Sequence, residues 1–446
     1  MPTNDARPVL RQSRFMTFDG AVSLVTAHQR PDRYRHLEVD FGSRKRIARG
    51  AGLSYAAASF GEGVVAQEMS VFDRLLEFDE KSCTIRVEAG CSLERLVRWA
   101  EPRSLCLPVL PGYPLITIGG CVAADVHGKN PHRDGTFSDW IERMTIFHPV
   151  HGYRAITRTS NNDVFEATCG GYGLTGLIVD VTLRLVPMPA RNIRLNRVAI
   201  ESLSESVDRL RDATECDFAY SWHDGTARKK DFGRGILFLG HWTDEPCATR
   251  DYPYYPMSAL KRARWPVSLW NRATARSANT LFRHLATRRA TQVKSAFDAA
   301  FPFARQTFYH RAFGRSGLAE IQLLVPDARL TEFTCQLSVI VSEIEPPLIM
   351  MSMKRFFGRR RSLSMSGSGM LFALDLARNA ATSRFIAAID ALTIAVGAQP
   401  NVAKDSRLPA EIAARALPHY TLFRQRVHEL DPDRLYQSEL SRRLAL

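Results

Sequence analysis

Metal-binding spacing is missing from this chain. Its eight cysteines, at 83, 91, 106, 121, 169, 216, 247 and 335, form neither a Cys-x-x-Cys pair nor a Cys/His cluster, so no metal site is expected and reduced, mostly buried thiols are. No window approaches eighteen uninterrupted apolar residues, and the opening MPTNDARPVLRQSRF lacks an apolar h-region. A spanning helix and a secretory signal are therefore unsupported, and a cytoplasmic location is the expectation. No fixed-period repeat or acidic or glutamine-rich tract occurs, which excludes solenoid and low-complexity architectures, and no nicotinamide-binding fingerprint occurs either. Acidic residues are few, 46 against 60 Lys and Arg, giving a formal charge of +14. That excess points to an anionic partner: nucleic acid, a membrane surface or a phosphorylated substrate.

What is present in quantity is glycine at three separated places. The segment from Pro111 to Phe137, PGYPLITIGGCVAADVHGKNPHRDGTF, combines Gly119, Gly120 and Gly128 with the small Cys121, Ala123 and Ala124. Such a run removes Cβ atoms where a large ligand meets the main chain and leaves a turn thin enough for flat rings to slide past. Upstream, RGAGLSY at Arg49 to Tyr55 places Gly50 and Gly52 around Ser54, so that successive backbone N–H groups can converge on a pyrophosphate. Downstream, FEATCGGYGLTGLI at Phe165 to Ile178 carries Gly170, Gly171, Gly173 and Gly176 ahead of an apolar alternation that reads as a strand. Any one of these runs is more simply a turn. Three in order within one half of the chain fit a flavin dinucleotide.

The order RGAGLSY, VEAGCSLERLV, PGYPLITIGGCVAADVHGKN and FEATCGGYGLTG resembles the vanillyl-alcohol-oxidase-type (PCMH-type) FAD-binding superfamily. HGKN at His127 to Asn130, AKDSR at Ala403 to Arg407 and the closing LYQSELSRRLAL sharpen the likeness to the decaprenylphosphoryl-ribose oxidases within it. The likeness is strongest over 49–185 and from Lys404 onward and thin over about 243–305. It implies an α+β protein: an FAD-binding domain of two subdomains over 1–190, an antiparallel-sheet substrate domain over 191–390 with a basic insert at about 243–305, and a segment, 391–446, that returns to the FAD domain. Strand-like runs (CTIRVEAG, IRLNRVAI, RGILFLGHW, LAEIQLLVP, GMLFALDLA) and the helical SLERLVRWAEP agree with that division.

The resemblance also implies roles. Arg49, Gly50, Ala51, Gly52, Leu53, Ser54, Tyr55, Gly112, Thr117, Ile118, Gly119, Gly120, Ala124, Asp125, Val126, His127, Gly128, Asn130, Gly173, Gly176, Ile178 and Asn401 would hold noncovalent FAD. Tyr55, Lys129, Gln322, Lys354, Arg355 and Lys404 would meet substrate, with Lys354 or Arg355 on its phosphate. Lys404, beside flavin and substrate, is suited to polarise or deprotonate a sugar 2-hydroxyl. His127 is either a second catalytic group or a structural residue near the ring. The implied reaction is oxidation of the C2 hydroxyl of a polyprenylphosphoryl pentose, ribose in the relatives, to a 2-keto sugar. An NAD(P)H-dependent short-chain reductase would then complete an epimerisation. Two departures are visible, Glu320 two residues before Gln322 where the pattern has two glutamines, and Ala373 where a pocket cysteine is common. A soluble aldonolactone or alditol oxidase and a flavin-fold scaffold without turnover remain as alternatives.

Lys261 to Lys294 holds nine basic residues and no acidic one, interleaved with Trp265, Trp270, Leu281 and Phe282. This suits an anionic membrane surface on the inner face of the plasma membrane, or else a solvated loop. Nucleic-acid binding finds no stacking platform on a recognisable fold.

Overall fold

The computed structural model describes residues 9–247, 265–302, 304, 307–359 and 362–446; Arg262 and Arg264 of the basic insert lie outside them. Three glycine runs and a long β-rich half predict a cofactor-holding body and a sheet, and the chain builds three main sheets. Strands β1 (Arg11–Met16), β2 (Ser23–Gln29), β3 (Lys45–Arg49) and β4 (Val64–Glu68) form the first, in the order β1-β2-β4-β3, with β3 and β4 parallel. The second joins β5 (Leu75–Asp79) and β6 (Thr84–Glu88) to later strands; β7 (Leu105–Cys106) stands apart from it. Its other members are β8 (Ile141–His148), β9 (Gly152–Thr157) and β10 (Leu177–Arg184), and its order is β5-β6-β10-β8-β9, all antiparallel. Strand β11 (Val186–Pro187) pairs with β7.

The third sheet has eight strands: β12 (Asn192–Ile200), β13 (Phe218–Asp224), β14 (Gly235–Thr243), β15 (Thr291–Ser295), β16 (Leu318–Pro326), β17 (Leu348–Gly358), β18 (Gly367–Ala377) and β19 (Gln399–Pro400). Their order is β15-β12-β14-β13-β17-β18-β16-β19, antiparallel throughout. Period-two alternation divides the faces of its centre. Leu323, Met351, Met353, Phe372 and Leu374 turn to one side, where they pack with Phe333 and Phe385 of the helices Leu330–Ile344 and Ala380–Ala395. Phe333 and Phe372 are fully buried with ring centroids 4.8 Å apart, so truncating either to Ala would cost about 3 to 5 kcal/mol. The other face carries the polar residues of the site.

Helix Leu93–Ala100 follows from its sequence: Ser92 Oγ accepts from Arg95 N at 3.2 Å, and Leu93, Leu96 and Ala100 fall on one buried face. After β19 the chain leaves the large sheet. The helices Ala410–Ala416, Tyr420–Leu430 and Glu439–Arg443 bury Ala413, Phe423, Val427 and Leu440 in one core with Ile47, Tyr172, Leu174, Leu177 and Val179. Four cysteines, 91, 121, 169 and 216, are buried, Cys83, Cys106 and Cys247 are half-buried and Cys335 is exposed; all eight are free thiols.

Candidate active site

The loop after β3 is shaped by two glycines. Gly52 has φ +66, and a Cβ there would stand 2.2 Å from Nη2 of Arg49; at Gly50 a Cβ would stand 2.3 Å from Oγ1 of Thr117. The loop therefore lies directly on the second glycine segment, where Thr117 caps helix Ile118–Ala123 by accepting from Gly120 N at 3.2 Å. Gly119 in turn rests on Ala89, to whose carbonyl it donates at 2.7 Å. Between them opens a cradle lined by Gly50 to Tyr55, Thr117, Gly119, Gly120, Ala124, Val126, Gly173, Gly176 and Ile178. Among the described residues the backbone N–H groups of Gly50, Ala51, Leu53 and Ser54 donate to no protein acceptor. Adjacent unpaired amides in a glycine loop are what a pyrophosphate needs, so the residues fit FAD. The amides of Ile118, Gly119 and Gly120 are already taken, by Cys91 O, Ala89 O and Thr117 Oγ1, so that segment contributes thinness and not donors.

The cradle runs on without a break into a polar cleft: Leu53, Tyr55, Ala124, Val126, Tyr172 and Lys404 border both. In the cleft, register brings the strands' side chains into rows. Gln322 on β16 faces Ala373 on β18, which faces Ser352 on β17; one step along, Glu320 faces Asp375, which faces Met350. Asn401, just past β19, donates from Nδ2 to Gln322 Oε1 at 2.9 Å, and Gln322 Nε2 donates to Glu320 Oε1 at 2.7 Å. Lys404 reaches the same carboxylate, Nζ to Glu320 at 3.3 Å, and lies 4.4 Å from the Tyr55 ring centroid. Tyr309 donates to Asp375 Oδ2 at 2.6 Å.

Burial sets the charges here. His127 is pushed down to about 3, chiefly by desolvation and then by Lys354, so its imidazole is neutral. Its Nδ1 lies 3.1 Å from the Gly128 carbonyl, an acceptor only, which fixes the proton on Nδ1 and leaves Nε2 as an acceptor. Phe356 holds the ring edge-on at 5.6 Å. Lys354, also donating to Gly128 O at 3.3 Å, is lowered to about 8 by burial and by Lys404. Asp375 is raised to about 7 by burial and by the neighbouring Glu320 carboxylate.

Of the residues singled out in the sequence, Gly112, Asp125, His127, Gln322, Lys354, Asn401 and Lys404 do meet in the cleft. Six others do not line cradle or cleft. Arg49 turns back to stack 4.0 Å from the Phe15 ring centroid and to bond Ser59 Oγ, bracing the loop from behind. Ile118 is fully buried in the core beneath the cradle. Gly128 lacks a side chain to admit the backbone of Leu110, because a Cβ would sit 3.1 Å from its carbonyl oxygen. Asn130 Nδ2 braces Pro108 O at 3.0 Å, and Asn130 and Lys129 face a second cavity. Arg355 follows Lys354 along β17 and so turns to the opposite face, where Nη1 bonds Arg211 O at 3.2 Å. Asp375 and Tyr309 went unsuspected. A lone acid in the apolar GMLFALDLA was a usable signal, whereas nothing near Tyr309 marked it.

Residues 43–150 match the model of an FAD binding domain, which with the cradle makes the chain an FAD-dependent oxidoreductase. Over 417 residues, 91% of the chain and 90% of the relative, it is 28% identical to decaprenylphosphoryl-β-D-ribose oxidase of Mycolicibacterium smegmatis. An uncharacterized Streptomyces coelicolor protein is 28% identical over 80% of this chain and its own full length. D-arabinono-1,4-lactone oxidase of Candida glabrata is 27% identical over 41% of this chain and 34% of that protein. No helix among the described residues is long and apolar enough to cross a membrane.

Proposed function

We propose that the chain oxidises the C2 hydroxyl of a polyprenylphosphoryl pentose, ribose by its nearest chemistry, to the 2-keto sugar. The sequence resemblance and the 28% identity to the mycolicibacterial oxidase along almost the whole chain support this, and the carrying observation is the Lys404–Glu320 pair at the seam between cradle and cleft. The domain division at about 190 and 390 is part of the same reading, with the eight-stranded sheet as the substrate side.

Bound FAD supplies the acceptor for the hydride leaving the sugar carbon. The protein's part is geometry and the hydroxyl proton. Lys404 Nζ holds the hydroxyl oxygen, gives one proton to Glu320, 3.3 Å away, and takes the hydroxyl proton in its place. Asp375, raised to about 7 by burial and by the Glu320 carboxylate, stands beside that acceptor on the neighbouring strand. His127, neutral and held by Gly128, accepts a sugar hydroxyl at Nε2 and stores no charge. Gln322 and Asn401 orient the ring, and Lys354 meets the phosphate. A reductase using a nicotinamide cofactor would consume the 2-keto product.

Helix Arg272–Arg288 of the basic insert carries exposed Leu281, Phe282 and Leu285 beside Arg276 and Arg288. On this reading it rests on an anionic membrane, at the cytoplasmic face, where the lipid substrate resides. The reaction is tested by anaerobic bleaching of the visible absorbance of the bound flavin. Polyprenylphosphoryl ribose should bleach it and an aldonolactone should not. The reverse pattern would transfer the chain to the lactone oxidases.

A further inference from the structure

The reaction above leaves a second cavity unused. It lies behind the wall formed by Leu110–Pro111 and His127–Lys129: Pro111 and His127 face the cleft, Leu110 and Lys129 face the cavity. Its surface is aliphatic and aromatic, with Leu105, Leu107, Val186, Phe218, Trp242 and Phe297 around it. Two of the polar groups at its edge are engaged with their own neighbours. Arg133 pairs with Asp217 and Asp134, and Asn130 donates to Pro108 O.

One group has no counter-charge. Lys129 is buried, its Nζ donates to the carbonyl of Ala300 and lies 5.9 Å from the Tyr220 ring centroid, yet no carboxylate among the described residues lies within ion-pair distance. Burial first, and then the like charges of Lys354 and Lys294, hold it well below the ordinary lysine range and so toward the neutral amine. An anion set beside it would restore the ammonium and gain a charged partner. A ligand that satisfies both features has an anionic head at Lys129 and Lys354 and an apolar extension with no polar atoms of its own.

We infer that this cavity receives the first isoprene units of a prenyl phosphate, the tail of the substrate crossing from the cleft over Lys129. The inference rests on the lipid-phosphate reading and adds the path of the tail. It also gives Lys129 a place: it accompanies the phosphate at the crossing and does not touch the reacting carbon.

Farnesyl phosphate is the probe, titrated into the FAD-loaded protein and followed by tryptophan fluorescence, since Trp140 and Trp242 line the cavity. Val186→Trp and Ala296→Phe, on different elements and both half-buried, fill it from two sides; retained flavin absorbance certifies folding. Affinity for farnesyl phosphate should fall at least tenfold in both, while affinity for inorganic phosphate stays unchanged. The fluorescence response should shrink in Trp242→Phe and vanish when Trp140→Phe is added. Unaltered farnesyl phosphate affinity in both filled variants would overturn the inference. The two readings separate cleanly. Bleaching by polyprenylphosphoryl ribose at equal KM in wild type and filled variants sinks the cavity and keeps the reaction; tight, chain-length-dependent farnesyl phosphate binding without any bleaching sinks the reaction and keeps the cavity.

Discussion

Replacing Lys404 by Ala separates chemistry from cofactor binding. The side chain touches Glu320 at 3.3 Å and the face of Tyr55 at 4.4 Å, and it is about a third exposed whereas Glu320 is 8% exposed. Removing it takes away the group placed on the hydroxyl, and positioned acid–base groups contribute about 10²- to 10⁴-fold. That range corresponds to roughly 2.7 to 5.4 kcal/mol of barrier. The variant also strands a carboxylate next to Asp375. A fully buried broken pair costs about 3 to 5 kcal/mol, and the partial exposure of Lys404 reduces this to about 1 to 2 kcal/mol. Adding Glu320→Gln removes the stranded charge while leaving an oxygen to accept from Tyr55 and Gln322. The double variant should therefore recover the melting temperature and not the rate. Lys404 only borders the cradle and the loop amides of Gly50 to Ser54 are untouched, so FAD should stay bound. The assay is stopped-flow anaerobic reduction with polyprenylphosphoryl ribose, alongside thermal melts. Reduction within a few fold of wild type in Lys404→Ala would refute the role given to this lysine, and recovery of rate in the double variant would assign the loss to misplaced charge.

Gly52→Ala must place a Cβ at φ +66 against the Arg49 guanidinium; the left-handed backbone costs about 1 to 2 kcal/mol, and dislodging Arg49 from Phe15 adds about 0.5 to 2. FAD retention on gel filtration should fall at least tenfold, and full retention would deny the loop its phosphate role. Asp375 has a folded value of about 7, above its ordinary 3.8, so its protonated form is preferred in the fold: that stability is complete below about 3.8 and is lost as pH rises to 7. Asp375→Asn should thus melt like wild type at pH 3.5 and higher than wild type at pH 8; a pH-independent difference contradicts the buried proton. Acid precipitation should release all yellow FAD into the supernatant, the expectation that the HGKN step at His127 to Asn130 carries, and flavin fluorescence in the pellet would overturn noncovalent binding. Replacing Arg262, Arg264, Arg272 and Arg276 by Gln should weaken cosedimentation with anionic vesicles at low salt, as should added salt for the wild type, whereas equal sedimentation of both proteins leaves the helix a solvated surface.

The sequence made the cofactor end legible because glycine is informative twice, once as composition and once as the absence of a Cβ at a crossing. Gly50, Gly52, Gly119 and Gly120 all line the cradle for that reason. Strand direction was harder to read. Arg355 and Lys354 are equivalent as letters, and only the register of β17 decides that one faces the cleft and the other the helix side. Gly128 and Asn130 carry the chemistry of ligand contacts but meet their own chain instead. Tyr309 reaches Asp375 across 66 positions, a pairing that local pattern does not encode.

The core that joins Ile47, Tyr172 and Leu177 to Phe423 and Leu440 has a consequence for biosynthesis. One wall of the cradle is backed by side chains that the ribosome makes more than two hundred residues later. At about 5 to 20 residues per second, the 246 positions between Leu177 and Phe423 take roughly 12 to 50 s to synthesise. Throughout that interval a nearly complete flavin pocket has an uncovered apolar back. Flavin capture is therefore a late event, and a gene cut after residue 190 would yield a sticky, colourless fragment and not a small flavoprotein.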